Sequence, residues 1–302
     1  MKEYITKYIS QLIGKKNTKP QVEQSEDDVQ VEQSEDDVQV EDDVQVEQPD
    51  LVTNKTAGII VCVNHGDMLE LTLPKNVKQL DHVYVVTTQD DLRTNELCDE
   101  YNSVTAVHYD FKISKESFMM WQRRHDKGQH RNPPPPPEHQ DMRIESWNQT
   151  AFNKGGGIRK AQQQAYQELP DYNYLVMDAD VILHDDFKTT LREISIKGNE
   201  LYSCSKRLHY KSWSDYLSGN IDSESYSLGM GWFQLYKDKG KLYDHYQTTA
   251  VSDTWFMNDF ILQNDGTRKP IQCIPLPAHH LGIDIRANTA QGQYGHEFFD
   301  FN

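Results

Sequence analysis

Only four cysteines occur in 302 residues, and none forms a Cys-x-x-Cys pair. This excludes a dense disulfide framework and the common thiolate zinc motifs. Cys62, Cys98, Cys204 and Cys273 sit mostly in apolar, strand-like settings, where buried free thiols are the ordinary expectation. Also missing is an uninterrupted apolar run of about 20 residues, the length a bilayer-spanning helix needs. No segment combines an apolar core with a cleavage site in the manner of a secretory signal. Together these absences predict a reducing, cytoplasmic location. Basic residues are scarce too: 31 Lys and Arg stand against 47 Asp and Glu, for a net charge of −16. An acidic chain has no general attraction for polyphosphate backbones, which disfavours nucleic acid as a substrate.

The charge is unevenly spread. Residues 1–20 carry +4, residues 21–50 carry −13 and residues 51–302 carry −7. Residues 21–50 hold thirteen acidic side chains, no Lys, Arg or aromatic residue, and valine as the only large aliphatic. The nonamer Gln21–Val29 recurs at Gln30–Val38, with shortened copies from Gln39 and Gln45. Such a repeat cannot bury enough surface to offset chain entropy, and its period is too short for solenoid units. It predicts a disordered, self-repelling acidic linker over 21–56. Carboxylates without turn glycines make poor calcium cages, so a spacer is the favoured reading.

Ahead of it, residues 1–20 are predicted as a short amphipathic helix. Apolar side chains fall at 1, 4, 5, 8, 9, 12 and 13, followed by Lys15, Lys16 and Lys19. The stripe is too short to span a bilayer. Peripheral contact with a membrane or protein through residues 1–16, or packing on the chain's own folded domain, fits it equally.

Residues 57–302 are predicted as a single α/β domain. Strand and helix alternate: strand 58–63, helix 67–78, strand 82–87, helix 91–101, strand 104–109. That rhythm predicts a mostly parallel sheet flanked by helices, with ligands at the carboxyl ends of the strands. There lie Asn64 and His65 after the first strand, and Thr87 and Asp91 after the second. The rhythm breaks in a Pro-rich insertion near 122–148 with five consecutive prolines and His125, His130 and His139. Their spacing fits no tetrahedral metal pattern, and a surface flap is expected. A strand is also expected over Leu201–Lys206.

Asp178-Ala179-Asp180 follows the apolar run Tyr174–Met177 and precedes Val181-Ile182-Leu183. On extended backbone, carboxylates at i and i+2 share a face and offer oxygen ligands to a hard divalent cation. Phe152-Asn153-Lys154-Gly155-Gly156-Gly157 opens a helix whose N-terminus favours an anion, with Lys154 and Arg159 as added charge. In Trp232-Phe233-Gln234, period two puts the indole and the amide on one face, a pairing suited to a sugar; core packing of Trp232 fits equally well. Ser252-Asp253 precedes an amphipathic stretch and also reads as a helix cap.

In this order, and with Ala278-His279-His280-Leu281-Gly282 near the C-terminus, these segments resemble the GT-A class of nucleotide-sugar-dependent glycosyltransferases. The small members with an "FNKG" helix start, a DxD strand and a late "HLG" are the most similar. The resemblance implies a Rossmann-like GT-A fold and transfer of a sugar from a UDP- or GDP-linked donor to a glycan or other hydroxyl acceptor. It places the nucleotide against Asn64, His65, Thr87, Asp91, Lys154, Arg159 and Asp178. It implies a Mn²⁺ or Mg²⁺ cofactor on Asp178, Asp180 and His280, with His279 sent to the opposite strand face. It further implies acceptor binding at Trp232 and Gln234, and Asp253 as general base of an inverting reaction, with Asp259 as the fallback. Two other classes stay open. A sugar nucleotidyltransferase would share the fold, but Asn64-His65-Gly66-Asp67 lacks the glycine-rich basic loop it needs. A non-catalytic scaffold would use the acidic repeat and N-terminal stripe as its working parts.

Overall fold

The computed structural model describes residues 54–111, 153–226, 232–243, 252–263 and 266–281. They belong to one compact unit, Asp50–Asn302. The N-terminal helix, nearly all of the acidic linker, the Pro-rich insertion with its histidines, and Gly282 lie outside the described residues. No described helix is long and apolar enough to cross a membrane.

The first five elements follow the expected alternation. Strand β1 (Thr56–Val61) leads to helix α1 (Gly66–Gln79), β2 (His82–Thr87), α2 (Leu92–Asp99) and β3 (Val104–His108). Then come α3 (Lys154–Glu168), β4 (Asn173–Asp178), β5 (Val181–Leu183), α4 (Phe187–Glu193), β6 (Tyr202–Cys204), β7 (Lys206–Tyr210), α5 (Trp213–Ser218) and β8 (Ser223–Tyr226). The described part closes with β9 (Phe233–Tyr236), α6 (Ser252–Ile261), β10 (Gln272–Ile274) and β11 (Ala278–Leu281).

Seven strands form the central sheet in the order β10-β6-β9-β4-β1-β2-β3. Strands β4, β1, β2 and β3 run parallel, while β9 is antiparallel to β4. The fold is therefore a Rossmann-like, mostly parallel α/β sheet. Its strands are apolar because helices cover both faces, and period two sorts their side chains. Ile59, Tyr84, Val86, Tyr174 and Val176 face Ile158, Ala161 and Ala165 of α3 and Phe256, Met257 and Phe260 of α6. Ile60, Val83, Val85, Leu175 and Met177 face Leu69 and Leu73 of α1 and Phe187 and Leu191 of α4. Each large apolar side chain fully buried in this way contributes about 1.5–3 kcal/mol.

A second sheet has the order β5-β11-β7-β8. The segment expected to be one strand over 201–206 is two strands in two sheets, β6 in the first and β7 in the second. Ser205 lies between them and donates its backbone N–H to the Leu276 carbonyl at 2.9 Å. Local apolarity cannot reveal such a change of sheet, because each half is still a buried strand.

Candidate active site

The chain leaves β1 toward β2 and β3, then crosses back to lay β4 on the other side of β1. The strand order therefore reverses between β1 and β4, and a crevice opens beyond their carboxyl ends, where open α/β sheets hold ligands. Asn64 lies just beyond one strand and Asp178 ends the other; Val61 pairs with Asp178 in register.

Asp91 builds the β1–β2 side of this crevice. One of its oxygens accepts the Asn64 backbone N–H at 2.8 Å and the Thr87 hydroxyl at 3.1 Å. The other accepts the Thr94 N–H at 3.2 Å and so caps α2. Asp91 and Thr87 are buried and brace the loops from below. Asn64 is exposed, in the left-handed region at φ 56°, a conformation that asparagine tolerates better than most residues. His65 occupies the N-cap position of α1.

Across the crevice, only Asp178 of the Asp-x-Asp stretch is in a strand. Ala179 and Asp180 form a turn that carries the chain from the first sheet into β5 of the second. The shared face expected from extended backbone is thus replaced by a turn held from α1. The buried Thr72 hydroxyl donates to the Ala179 carbonyl at 2.7 Å. The buried Asn76 amide donates to the Val181 carbonyl at 2.8 Å and accepts the Leu183 N–H at 2.9 Å, standing in for a missing strand beside β5. The Leu281 N–H donates to the Asp180 carbonyl at 2.9 Å, tying the turn to β11.

Lys154, the first residue of α3, projects into this cluster. Its ammonium lies 2.7 Å from Asp178 Oδ1 and 3.7 Å from Asp253 Oδ2. Burial by itself would lower the ammonium's pKa. The charges of Asp178 and Asp253, a hydrogen bond to Asp178 and the charge of Asp180 outweigh burial and raise it well above the ordinary lysine value. His280, almost fully buried on β11, places Nε2 3.3 Å from Asp180 Oδ2. Its ring meets His209 of β7 edge-on at 5.1 Å. His279 turns the other way, toward Tyr210.

Behind Asp253, Gln234 and Tyr243 form a buried polar pair. The Tyr243 hydroxyl donates to Gln234 and lies 3.3 Å from Asp253 Oδ1, while the Gln234 amide donates to the Asp253 carbonyl at 3.0 Å. Burial, then the Asp253 charge, pushes the Tyr243 phenol far up, so it stays protonated and able to donate. Arg159 donates to the Tyr243 carbonyl at 3.0 Å and so supports the site from behind.

The pairing expected of Trp232 and Gln234 does not form. Trp232 precedes β9, packs with Phe233 in the other core cluster and lies under the Arg207 guanidinium at 4.8 Å. Gln234 is fully buried on the Asp253 side. Neither side chain presents surface to a sugar here, because period two starts only once β9 begins. The glycines of α3 likewise have a packing reason. A Cβ on Gly156 would sit 2.1 Å from the Tyr109 hydroxyl, and one on Gly157 2.6 Å from the Phe111 ring. Asn153 caps that helix, its Oδ1 accepting the Gly156 N–H at 2.9 Å.

Asp180 and His280 are close enough to share one ion. Among the described residues no group of three or more His, Cys, Asp or Glu side chains could cage a metal alone. The pair fits a hard divalent ion that takes its remaining ligands from outside the protein, as such ions do on one or two protein ligands. Sequence reasoning missed Thr72, Asn76, His209 and Tyr243. Only the alternation in Lys206–Tyr210 carried a hint, since it marks a strand with His209 on one face.

No family model matches this chain, and no curated protein matches it. Among solved structures it is similar to 4-diphosphocytidyl-2C-methyl-D-erythritol synthase from Anaerococcus prevotii, with a TM-score of 0.35 and 12% identity over 76% of this chain and 89% of that one. It is also similar to a Bacillus anthracis protein described as a glucose-1-phosphate thymidylyltransferase in complex with sucrose, with a TM-score of 0.27 and 13% identity over 61% and 72%. Similarity this loose transfers neither protein's activity to this chain.

Proposed function

We propose that this chain is a metal-dependent glycosyltransferase that moves a sugar from a nucleoside diphosphate sugar to a hydroxyl acceptor. The observation that carries the reading is the meeting of Lys154, Asp178 and Asp253 with the Asp180–His280 pair at the point where strand order reverses. A departing nucleoside diphosphate gains negative charge, and a buried ammonium already aimed at the crevice can neutralise part of it without reorganising. Mn²⁺ or Mg²⁺ held by Asp180 and His280, with Asp178 nearby, would supply Lewis-acid neutralisation of the same leaving group.

Asp253 would act as general base. The acceptor hydroxyl attacks the anomeric carbon, its proton passes to Asp253, and the bond from that carbon to the diphosphate oxygen breaks. Tyr243 fixes the orientation of the carboxylate. A diphosphate offers Lys154 a stronger partner than Asp253 at 3.7 Å, which leaves the base free for the acceptor. Attack opposite the leaving group inverts the anomeric centre.

A sugar nucleotidyltransferase is the second reading, since Lys154 and a metal ion held by the acidic cluster would also suit attack of a sugar phosphate on a nucleoside triphosphate. The loop after β1, Asn64-His65-Gly66-Asp67, contains no Lys or Arg to cradle a triphosphate, which favours the first reading. One experiment separates them. The full chain is screened by thermal shift with UDP, GDP, CDP and TDP, with and without Mn²⁺, because ligand binding raises the midpoint. It is then assayed for hydrolysis of nucleotide sugars and for pyrophosphate release from nucleoside triphosphates with sugar 1-phosphates. The transferase reading expects a Mn²⁺-dependent shift and sugar release, both lost in Asp180→Ala. Pyrophosphate release would favour the second reading, and no shift with any nucleotide would overturn both.

A further inference from the structure

The face of β11 opposite His280 borders a recess of about 360 Å³, lined among others by Lys75 of α1, His184 and Asp185 after β5, Tyr210, Tyr216 and His279. We propose that this recess is a second, non-catalytic binding site for a neutral saccharide. Its volume lies at the small end of the ~300–1,000 Å³ typical of ligand pockets, which suits one or two sugar rings.

The chemistry of the walls selects the ligand. His184 accepts the Asp186 backbone N–H at Nδ1, 3.1 Å away, which leaves Nε2 as the ring nitrogen able to donate. His279 bonds the Tyr210 hydroxyl at 2.9 Å and stacks with His184 at 6.1 Å, the rings 13° from parallel. Tyr216 meets His279 edge-on at 5.4 Å, backed by Trp213. The charged lining is one lysine and one aspartate. An anion would meet Asp185, and a cation would meet Lys75 with His184 Nδ1 already engaged. A polyhydroxylated neutral ring meets both requirements at once, accepting from Lys75 and His184, donating to Asp185, and laying C–H groups on the imidazole and phenol walls.

Because successive residues of β11 face opposite ways, the recess lies across the sheet from the proposed donor site. It would therefore hold a remote unit of a glycan and not the unit undergoing chemistry. The test is saturation-transfer NMR on the full chain. The probes are the methyl glycosides of glucose, galactose, mannose and N-acetylglucosamine, together with maltose, cellobiose and lactose. The expected result is saturation of the ring protons of at least one probe. Binding should weaken about ten-fold or more in Asp185→Asn and in Lys75→Met, each of which removes a charged hydrogen bond at an accessible position. It should persist with UDP and Mn²⁺ present and in Asp178→Asn. Three results would each overturn the site: no saturation by any probe, displacement by UDP with Mn²⁺, or undiminished binding in both recess variants. Saccharide binding by the recess stands apart from the transferase reading; only its role in holding a remote glycan unit rests on that reading, whose own failure would appear as the absence of any nucleotide shift.

Discussion

Replacing Lys154 by methionine removes one charge from the centre of the candidate site while keeping most of the side chain's apolar bulk. In the intact chain the ammonium is 2.7 Å from Asp178 and 3.7 Å from Asp253, with side-chain exposures of 12%, 28% and 18% for the three residues. A pair of unit charges at ~4 Å interacts by about 4 kcal/mol at an effective dielectric of 20, and much of that is offset by the cost of burying the ammonium. The larger effect is on what remains, since Asp178 and Asp253 both lose the ammonium that lies between them. Removing one partner of a buried pair typically costs about 3–5 kcal/mol, and the partial exposure of Asp178 favours the lower end. For a folded unit of this size, ~1 kcal/mol shifts the midpoint by about 2–4 °C, so Lys154→Met should melt roughly 6–12 °C lower at neutral pH.

The pH dependence is the sharper readout. The Lys154 pKa is raised on folding, so its contribution is fully present below the ordinary lysine value of 10.5 and is lost as pH rises through the higher folded value. At pH 7 the wild type retains all of it. The deficit of Lys154→Met should therefore persist up to the ordinary lysine value of 10.5 and shrink only above it. Urea unfolding of both proteins at several pH values, followed by circular dichroism, gives the comparison. Added Mn²⁺ should also restore part of the lost stability by returning positive charge to the cluster. A deficit below about 1 kcal/mol, in the range of an exposed ion pair, or one that disappears below pH 10.5, would refute the view that Lys154 neutralises a buried acidic cluster.

Two further outcomes follow from packing and burial. Asn76→Leu should destabilise the chain by about 2–4 kcal/mol, because it leaves the Val181 carbonyl and Leu183 N–H of β5 without their buried partner; equilibrium denaturation measures this, and a neutral result would mean that β5 does not rely on α1. Thiol labelling at pH 8, read by mass spectrometry, should modify exposed Cys273 quickly and spare Cys62 and Cys98, whose thiols burial pushes up to about 12. Rapid labelling of Cys62 in the native chain would contradict that burial.

Strands β1, β2 and β3 could be read from residues 56–109 alone. Buried parallel strands are short apolar runs, helices announce themselves by period and caps, and both signals are local. Asp178 and Asp180 stood out for the same reason, as a carboxylate pair closing an apolar run, whereas Asp253 and His280 were singled out by resemblance to the glycosyltransferase motifs. What those segments do to one another was decided by the tertiary structure. The turn at Ala179, the salt bridges of Lys154, the burial of Gln234 and the use of Asp91 as a loop brace all depend on residues far apart in the chain. So does the close fit of Tyr109 and Phe111 against Gly156 and Gly157, which gives the glycine run a steric reason. A carboxylate's partner is set by where the sheets cross, and no period or propensity along the chain carries that information.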